Sequence, residues 1–582
     1  MKAKSVPRHV VSFKSMLNLF TRFHLFARSR PSAGTQTGHL NRWSVATTAL
    51  ALLFSIPIIT IAVHLFAPAG EVWNHLASTV LDDYLLHSFW LMIGVGAGVS
   101  MIGVGTAWLV TMYRFPGSNL LTWLLIVPMA VPAYLMAYTY TDFLSITGPL
   151  QEMIRSLTGW GPNDYWFPQI RSLGGAILLM SFVFYPYVYL LTRSAFLDQS
   201  SSQLEAARGL GASMPEIFFR IALPLARPSI AAGLALVLME TLNDFGTVDY
   251  FGIQTFTTGI YRTWFGLGDR AAAAQLSAFL MLFILALILM ERWSRRRIRN
   301  GKASTERYSR LTQIQLSGWR QWVASVSCFL PVVIGFIVPV LILLSLLFQN
   351  PAAALDERFF RFTFNSVSVA VIAGFVAILA ALLLSYGVRL HPAWLTRASA
   401  RIGSLGYAIP GSVIAVGLLI PFGQADQTIN ELSRRVFGVS PGLLLSGTLF
   451  ALVFAYVVRF LAVAHQSVEA GLSTITKSMD EAAEGLGYSF GGILRKVHIP
   501  MLSGSLLTAL LLVMVDVLKE LPATLIVRPF NFDTLAVQVY RLASDERLAE
   551  SSGAALVIVL VGLIPVYVLS RSISKRRSRT FE

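Results

Sequence analysis

The sequence predicts an all-α polytopic membrane protein, with about twelve transmembrane helices in two parallel six-helix repeats. Three observations lead there: apolar composition, an internal repeat and the placement of positive charge. The chain has 582 residues, 55% hydrophobic and 13% charged, with a mean hydropathy of +0.64. That charged share is about half the globular norm, and so much apolar surface needs lipid around it. Windows of about 20 apolar residues, long enough to cross a hydrocarbon core as helices, fall near 44–66, 86–111, 120–143, 174–192, 229–250, 272–290, 323–348, 365–386, 403–422, 442–464, 502–522 and 553–570. The repeat is explicit. Glu205-Ala-Ala-Arg-Gly-Leu-Gly211 returns as Glu481-Ala-Ala-Glu-Gly-Leu-Gly487, 276 residues later, and at the same offset Ile221-Ala-Leu-Pro224 is answered by Val497-His-Ile-Pro500.

The formal net charge is +16, but its distribution speaks against nucleic acid. Eight Lys/Arg precede the first span; Arg292, Arg295, Arg296, Arg297, Arg299 and Lys302 follow the sixth; Lys575, Arg576, Arg577 and Arg579 follow the twelfth. The loop after the first span, 67–85, carries Glu71, Asp82 and Asp83 and no Lys or Arg. With twelve spans every basic cluster lies on one side, as the positive-inside rule requires, so both termini are expected in the cytoplasm. Cys328 is the only cysteine, which removes intramolecular disulfides and thiolate clusters. No short apolar core followed by a small-residue cleavage site precedes residue 44, and the first span is expected to stay as an anchor.

The repeat sets the organisation: a basic tail 1–43, a first repeat 44–291 with its polar loop at about 193–228, a basic linker 292–322, a second repeat 323–571 with its loop at about 465–504, and a basic tail 572–582. Six spans per half is an even number, so the halves share one orientation and are related by an axis along the membrane normal. Both Glu-Ala-Ala loops then fall after the fourth span of a half, on the cytoplasmic side. A second echo aligns Ile126-Val-Pro-Met-Ala-Val-Pro132-Ala-Tyr in the third span with Leu405-Gly-Tyr-Ala-Ile-Pro410-Gly-Ser in the ninth. Proline inside a span breaks or kinks the helix, so Pro132 and Pro410 are either gate elements or packing kinks.

Each polar loop reads as helix, turn, helix. Glu, Ala, Arg and Leu favour the first helix, Gly209-x-Gly211 or Gly485-x-Gly487 reverses the chain, and Pro224 or Pro500 closes the unit. Phe218 and Phe219 in one loop, Phe490 and Ile493 in the other, are expected to form an exposed apolar knob. The spacing Glu-Ala-Ala, three residues, Gly, nine residues, Ile-x-Leu-Pro resembles the signature of the membrane subunits of ABC importers. The first copy fits throughout; the second has Val and Ile where the pattern has Ile and Leu. The resemblance implies a type I importer permease fold in a bacterial inner membrane, with Glu205, Ala206, Ala207 and Gly211, and Glu481, Ala482, Ala483 and Gly487, docking on two copies of an ATPase. The chain itself has no phosphate-binding loop: the only Gly-Lys, Gly301-Lys302, has Arg296 at the upstream glycine position and Ala303 at the hydroxyl position. No nucleophile or metal-protease motif appears either. It is expected to be no enzyme and to bind no cofactor, with ATP used by the partner subunits.

The charged residues inside spans stand out most. Glu240 and Asp244 lie four apart and predict one helix face; Asp516 and Glu520 stand at the corresponding positions one repeat later. Intramembrane carboxylates are costly unless they face a cavity or a partner, so these four are candidates for a cation path, with internal salt bridges as the alternative; Lys519 adjoins Glu520. The stretch Asn243 to Arg262 and Lys519-Glu-Leu-Pro-Ala-Thr resemble ferric-iron permeases of this importer class. That implies Fe³⁺ delivered by an extracytoplasmic binding protein, with thiamine, polyamine, phosphonate or sulfate as other substrates of the class. An ion-coupled secondary transporter is the rival from another class and leaves the repeat unexplained. Glu71, His75, Asp82, Asp83 and His87 near the first external loop are a looser cluster, read as solvated charges more readily than as metal ligands. No other metal site is assigned.

Overall fold

The computed structural model describes residues 41–296, apart from 69 and 200, and 313–579. Among these, ten helices are long and apolar enough to cross a membrane, and two bent pairs bring the number to twelve if each pair is one span. The pairs are Ser118–Ala130 with Ala133–Thr158, bent by 90°, and Trp394–Ala408 with Gly411–Phe437, bent by 116°. They are the third and ninth apolar windows. In each, a 3₁₀ turn (Val127–Ala130, Leu405–Ala408) runs into one extended residue and then a proline that opens the second arm. The cause is local: a proline forces its predecessor out of the helical region, and Val131 and Ile409 take ψ of 119° and 131°. Pro132 and Pro410 therefore break their spans outright.

Window boundaries need correction, and the fifth, expected to 250, ends as helix at Asn243. The tenth window, expected from 442, becomes helix only at Leu449, because Gly438, Gly442 and Gly447 all take positive φ and hold 438–448 as loop.

The chain folds into two compact units that do not follow the repeat boundary. One is built on Thr363–Thr534 and also contains the first helix, as far as Val63, and the chain from Tyr567. In it the first helix, Arg42–His64, packs Phe54 against Phe454, ring centroids 5.6 Å apart, and Thr48 Oγ1 lies 3.1 Å from Ser399 Oγ. Ala51, Phe54 and Ile61 are buried while Leu52, Leu53 and Ile59 are exposed, so one face meets protein and the other suits lipid.

The second unit joins His64–Phe362 to Leu535–Val566. Its helices Leu81–Met112 and Leu173–Leu197 approach closely because small residues face across: a Cβ on Gly103 would lie 2.9 Å from Val188 Cβ and 3.0 Å from the Tyr185 carbonyl. Lipid supplies no hydrophobic drive between helices, and such close fits supply the contact instead. The helix that opens the second repeat, from Trp319, lies in this unit. The Tyr140 hydroxyl donates to the Ile334 carbonyl at 2.7 Å and Ser325 Oγ to that of Pro116 at 2.9 Å. Each unit thus contains the opening helix of the other repeat. The last linker residues pair in parallel with the two residues that follow Leu81–Met112, Tyr113 with Ile314 and Arg114 with Gln315. Residues 297–312, with Arg297, Arg299 and Lys302, lie outside the described residues.

Candidate functional site: the repeated turn modules and the helix breaks

Both Glu-Ala-Ala loops fold into the same module. The first runs Ser201–Gly209, Met214–Ile217, a π-helical turn Phe218–Ala222 and the long helix Leu223–Asn243. The second runs Lys477–Gly485, Phe490–Ile493, Leu494–His498 and Ile499–Leu518. The first helix of each ends where Gly211 and Gly487 enter the left-handed region, at φ of 86° and 81°. The Gly211 N–H bonds the Arg208 carbonyl at 2.9 Å and the Ala212 N–H that of Ala207 at 3.0 Å; Gly487 bonds Glu484 at 2.8 Å and Tyr488 bonds Ala483 at 3.1 Å. This is the paired closure of a Schellman turn, formed twice at one offset.

The π turns also follow from sequence. Pro224 and Pro500 are second residues of the long helices; they lack an N–H and their rings crowd the carbonyl one turn back. The backbone widens to five-residue bonds, Leu223 to Phe218 and Ile499 to Leu494.

Within the modules Glu205, Ala206, Glu481 and Ala482 are exposed, while Ala207 and Ala483 are buried. Phe219 is exposed, but Phe218 turns inward onto Trp108, centroids 4.9 Å apart. Ile493, expected in an exposed knob, is buried, because it lies on the inner side of its single helical turn. Phe490 opens that turn, and its side chain lies outside the described residues. The most exposed apolar positions of the modules, beyond Phe219, are Leu210 and Leu486, 88% and 79% exposed. Each is the middle of a Gly-Leu-Gly, and a large apolar residue between two turn glycines in a polar loop was the signal available.

The modules differ in their anchoring. Asp480, just before Glu481, receives Arg389 Nη2 at 2.6 Å and lies 2.7 Å from His498 Nε2, whose Nδ1 is 2.7 Å from the Tyr386 hydroxyl. Arg389 Nη1 also donates to the Leu472 and Ile475 carbonyls at 3.1 Å. Burial works against the Asp480 charge, but the bonds from Arg389 and His498 outweigh it and hold its carboxyl below the usual range. The stabilisation this gives is complete above the ordinary carboxylate value near 4 and is lost as pH falls through the lowered one. At the matching positions the first module has Leu204, Ala222 and Tyr113, which cannot form such a clamp.

The carboxylate pairs do not share a helix face. Leu223–Asn243 ends before Asp244, whose side chain accepts from the Thr247 N–H at 3.0 Å, the Thr247 hydroxyl at 3.1 Å and the Val248 N–H at 3.3 Å. It caps the next short helix, Gly246–Tyr250. Glu520 repeats this role on Pro522–Val527, accepting from the Ala523 N–H at 3.1 Å. Its other oxygen lies 3.3 Å from Arg459 Nε, and both side chains are almost fully buried. Asp516 lies 3.1 Å from Lys519; Glu240 is half-buried, 3.5 Å from Asn243 Nδ2. Near the first loop, Glu71, His75, Asp82, Asp83 and His87 do not converge: among the described residues no three His, Cys, Asp or Glu side chains could hold a metal, and His87 Nδ1 lies 3.2 Å from the Gln254 carbonyl.

The family model described as binding-protein-dependent transport system inner membrane component matches residues 99–300 and 373–579, one copy in each repeat. The chain is 25% identical over 535 residues to the Fe(3+)-transport system permease protein FbpB 2 of Haemophilus influenzae, covering 90% of this chain and 97% of that one. It is 32% identical over 203 residues to the sulfate transport system permease protein CysW of Escherichia coli, covering 34% of this chain and 66% of the relative. It is also similar to PhnU of Salmonella typhimurium, named for 2-aminoethylphosphonate transport, at 27% over 254 residues, covering 42% of this chain and 87% of the relative.

Proposed function

The chain belongs to the family of binding-protein-dependent transport system inner membrane components, and from that premise we propose that it carries ferric iron inward from an extracytoplasmic binding protein, powered by two copies of a separate ATPase. It is a multi-pass ABC permease with two fused halves, and its relatives are transport permease subunits, which supports reading it as a transport component whose ATP hydrolysis lies in separate subunits. The observation that carries the coupling role is the bond-for-bond recurrence of the turn module, with Leu210 and Leu486 presented outward. In this reading the ATPases receive the modules at 201–219 and 477–495 on the cytoplasmic side, where the basic clusters also place both termini. Their closure moves the attached long helices, and the spans broken at Pro132 and Pro410 act as gates. Iron is favoured as substrate by the likeness to an Fe(3+) permease along nearly the whole length of both chains. Sulfate is the second reading, from a higher identity over a third of this chain.

Vesicles containing the permease and its ATPase, with the binding protein added outside, test this. Labelled iron should enter only with ATP and despite a protonophore; entry of sulfate but not iron replaces the substrate. The chain purified alone is expected to bind and hydrolyse no ATP, since it lacks a phosphate-binding loop. Turnover by the pure chain would remove the need for a separate ATPase.

Glu240 and Asp516, which cap no helix, are the carboxylates proposed for the cation path. Exchanging them for Gln and Asn should slow iron entry while expression and ATPase association stay normal. Uptake at the wild-type rate excludes a required charge there.

A further inference from the structure

The broken span of the second repeat opens with a helix whose two faces differ in kind. Trp394–Gly403 buries Thr396, Ser399, Ala400 and Gly403. That face is made of small residues because it lies close on its neighbours: a Cβ on Gly403 would stand 3.5 Å from Leu384 Cδ1 and 3.6 Å from Ala51 Cα. The other face exposes Trp394, Arg397, Arg401 and Ile402, a spacing that keeps all four on one side of a helix. Trp394 is 79% exposed. From 358 to 425 the chain holds no Asp or Glu, and among the described residues neither arginine has an ion-pair partner. The matching arm of the first repeat opens with Ser118–Leu124, Ser-Asn-Leu-Leu-Thr-Trp-Leu, which has no charge. Breaking a span therefore does not itself call for arginine.

Two placements bear on what covers this face. The arm Trp394–Ala408 is bent by 116° from Gly411–Phe437, so where the latter crosses the bilayer the former runs close to the plane of its surface. The arm also starts at the end of the unit that carries a turn module, since Arg389, in the last turn of the helix before it, pairs with Asp480. A helix in that plane, with tryptophan and isoleucine beside two arginines, has the chemistry of an interfacial helix. Its apolar side chains enter the headgroup boundary while the guanidiniums stay level with the phosphates. We propose that the exposed face of Trp394–Gly403 binds anionic phospholipid, with Arg397 and Arg401 on the phosphate oxygens, which suit the planar guanidinium fork. A headgroup of net negative charge is preferred to a zwitterionic one, because choline would bring its own cation beside the arginines. Lipid bound here braces the first arm of the span that breaks at Pro410.

The test uses the full chain in nanodiscs whose two leaflets have one composition, so that neither the sidedness nor the substrate proposed above affects it. Trp394 emission is taken as the difference between the wild type and Trp394→Phe. Phosphatidylglycerol brominated on its acyl chains, as a minor component in phosphatidylcholine, should quench that emission more strongly than brominated phosphatidylcholine at the same fraction. Arg397→Gln with Arg401→Gln should lower the affinity for phosphatidylglycerol by about 30-fold, the share of two basic residues beside an anionic membrane surface, and so equalise the two lipids. Lysine at both positions keeps the charge and should keep the preference, and unchanged elution shows an intact fold. Absence of quenching by either lipid, equal quenching of the wild type by both, or a preference that survives in the glutamine variant overturns the proposal. So does a wild type without lipid preference whose glutamine variant loses its ATPase, because the arginines then serve an acidic protein surface.

Discussion

Arg459→Ala is expected to destabilise the protein by about 3–5 kcal/mol, the cost of stranding one member of a buried ion pair. Arg459 sits within Leu449–Leu472 and is 6% exposed; Glu520, its partner at 3.3 Å, is 5% exposed. Without the guanidinium, Glu520 must keep an uncompensated charge in a poorly solvated place or take up a proton. Gly411, which follows the break at Pro410, packs onto both partners, so that even a Cβ there would collide with Arg459 and Glu520. Gly411→Ala should therefore show the same defect from the other direction. Thermal unfolding in detergent measures both. Arg459→Met combined with Glu520→Gln should recover most of the loss, because the amide keeps an acceptor for the Ala523 N–H while both charges go. An Arg459→Ala protein that melts like wild type would contradict a buried pair.

Gly211→Val and Gly487→Val are expected to abolish ATP-dependent uptake, or co-purification of the ATPase, without preventing membrane insertion. Both glycines lie in open space: a Cβ added to either would meet no atom within 4 Å. The penalty is conformational. At φ of 86° and 81° an L-residue costs about 1–2 kcal/mol, and a β-branched one fits worst. That suffices to unwind a turn held by two hydrogen bonds while leaving the long helices in place. Gly209 and Gly485 supply the internal control. Neither has positive φ nor a neighbour within 4 Å of an added Cβ, and alanine there should preserve uptake. Normal uptake by Gly211→Val would make the turn geometry incidental to transport.

The features legible in the sequence are those encoded within a few residues. The Glu-Ala-Ala, Gly and Pro spacing specified the modules down to their turn glycines, and Pro132 and Pro410 marked the two broken spans, because each acts on its own backbone. What depended on distant neighbours was hidden. Glu520 and Asp244 read as path-lining charges because the span seemed continuous, whereas their side chains end one helix and cap the next. The Asp480 clamp joins Arg389 to His498 across 109 positions, and no periodicity points from one to the other. Ile493 looked as exposed as Phe219 since a single helical turn has too few residues to declare its inner face. The pairing of the first helix with residues beyond 363 had no local signal at all.

That pairing has a consequence for biogenesis. Phe54 waits for Phe454, and Thr48 for Ser399, so the first helix enters the bilayer more than 300 residues before its partners are made. At roughly 5–20 residues per second this is an interval of some tens of seconds. During it, the face carrying Ala51, Phe54 and Ile61 must be covered by lipid or by the insertion machinery. Fusion of the halves keeps that waiting helix tethered to the ribosome still making its partner, so that pairing is an intramolecular search instead of an encounter between two scarce membrane proteins.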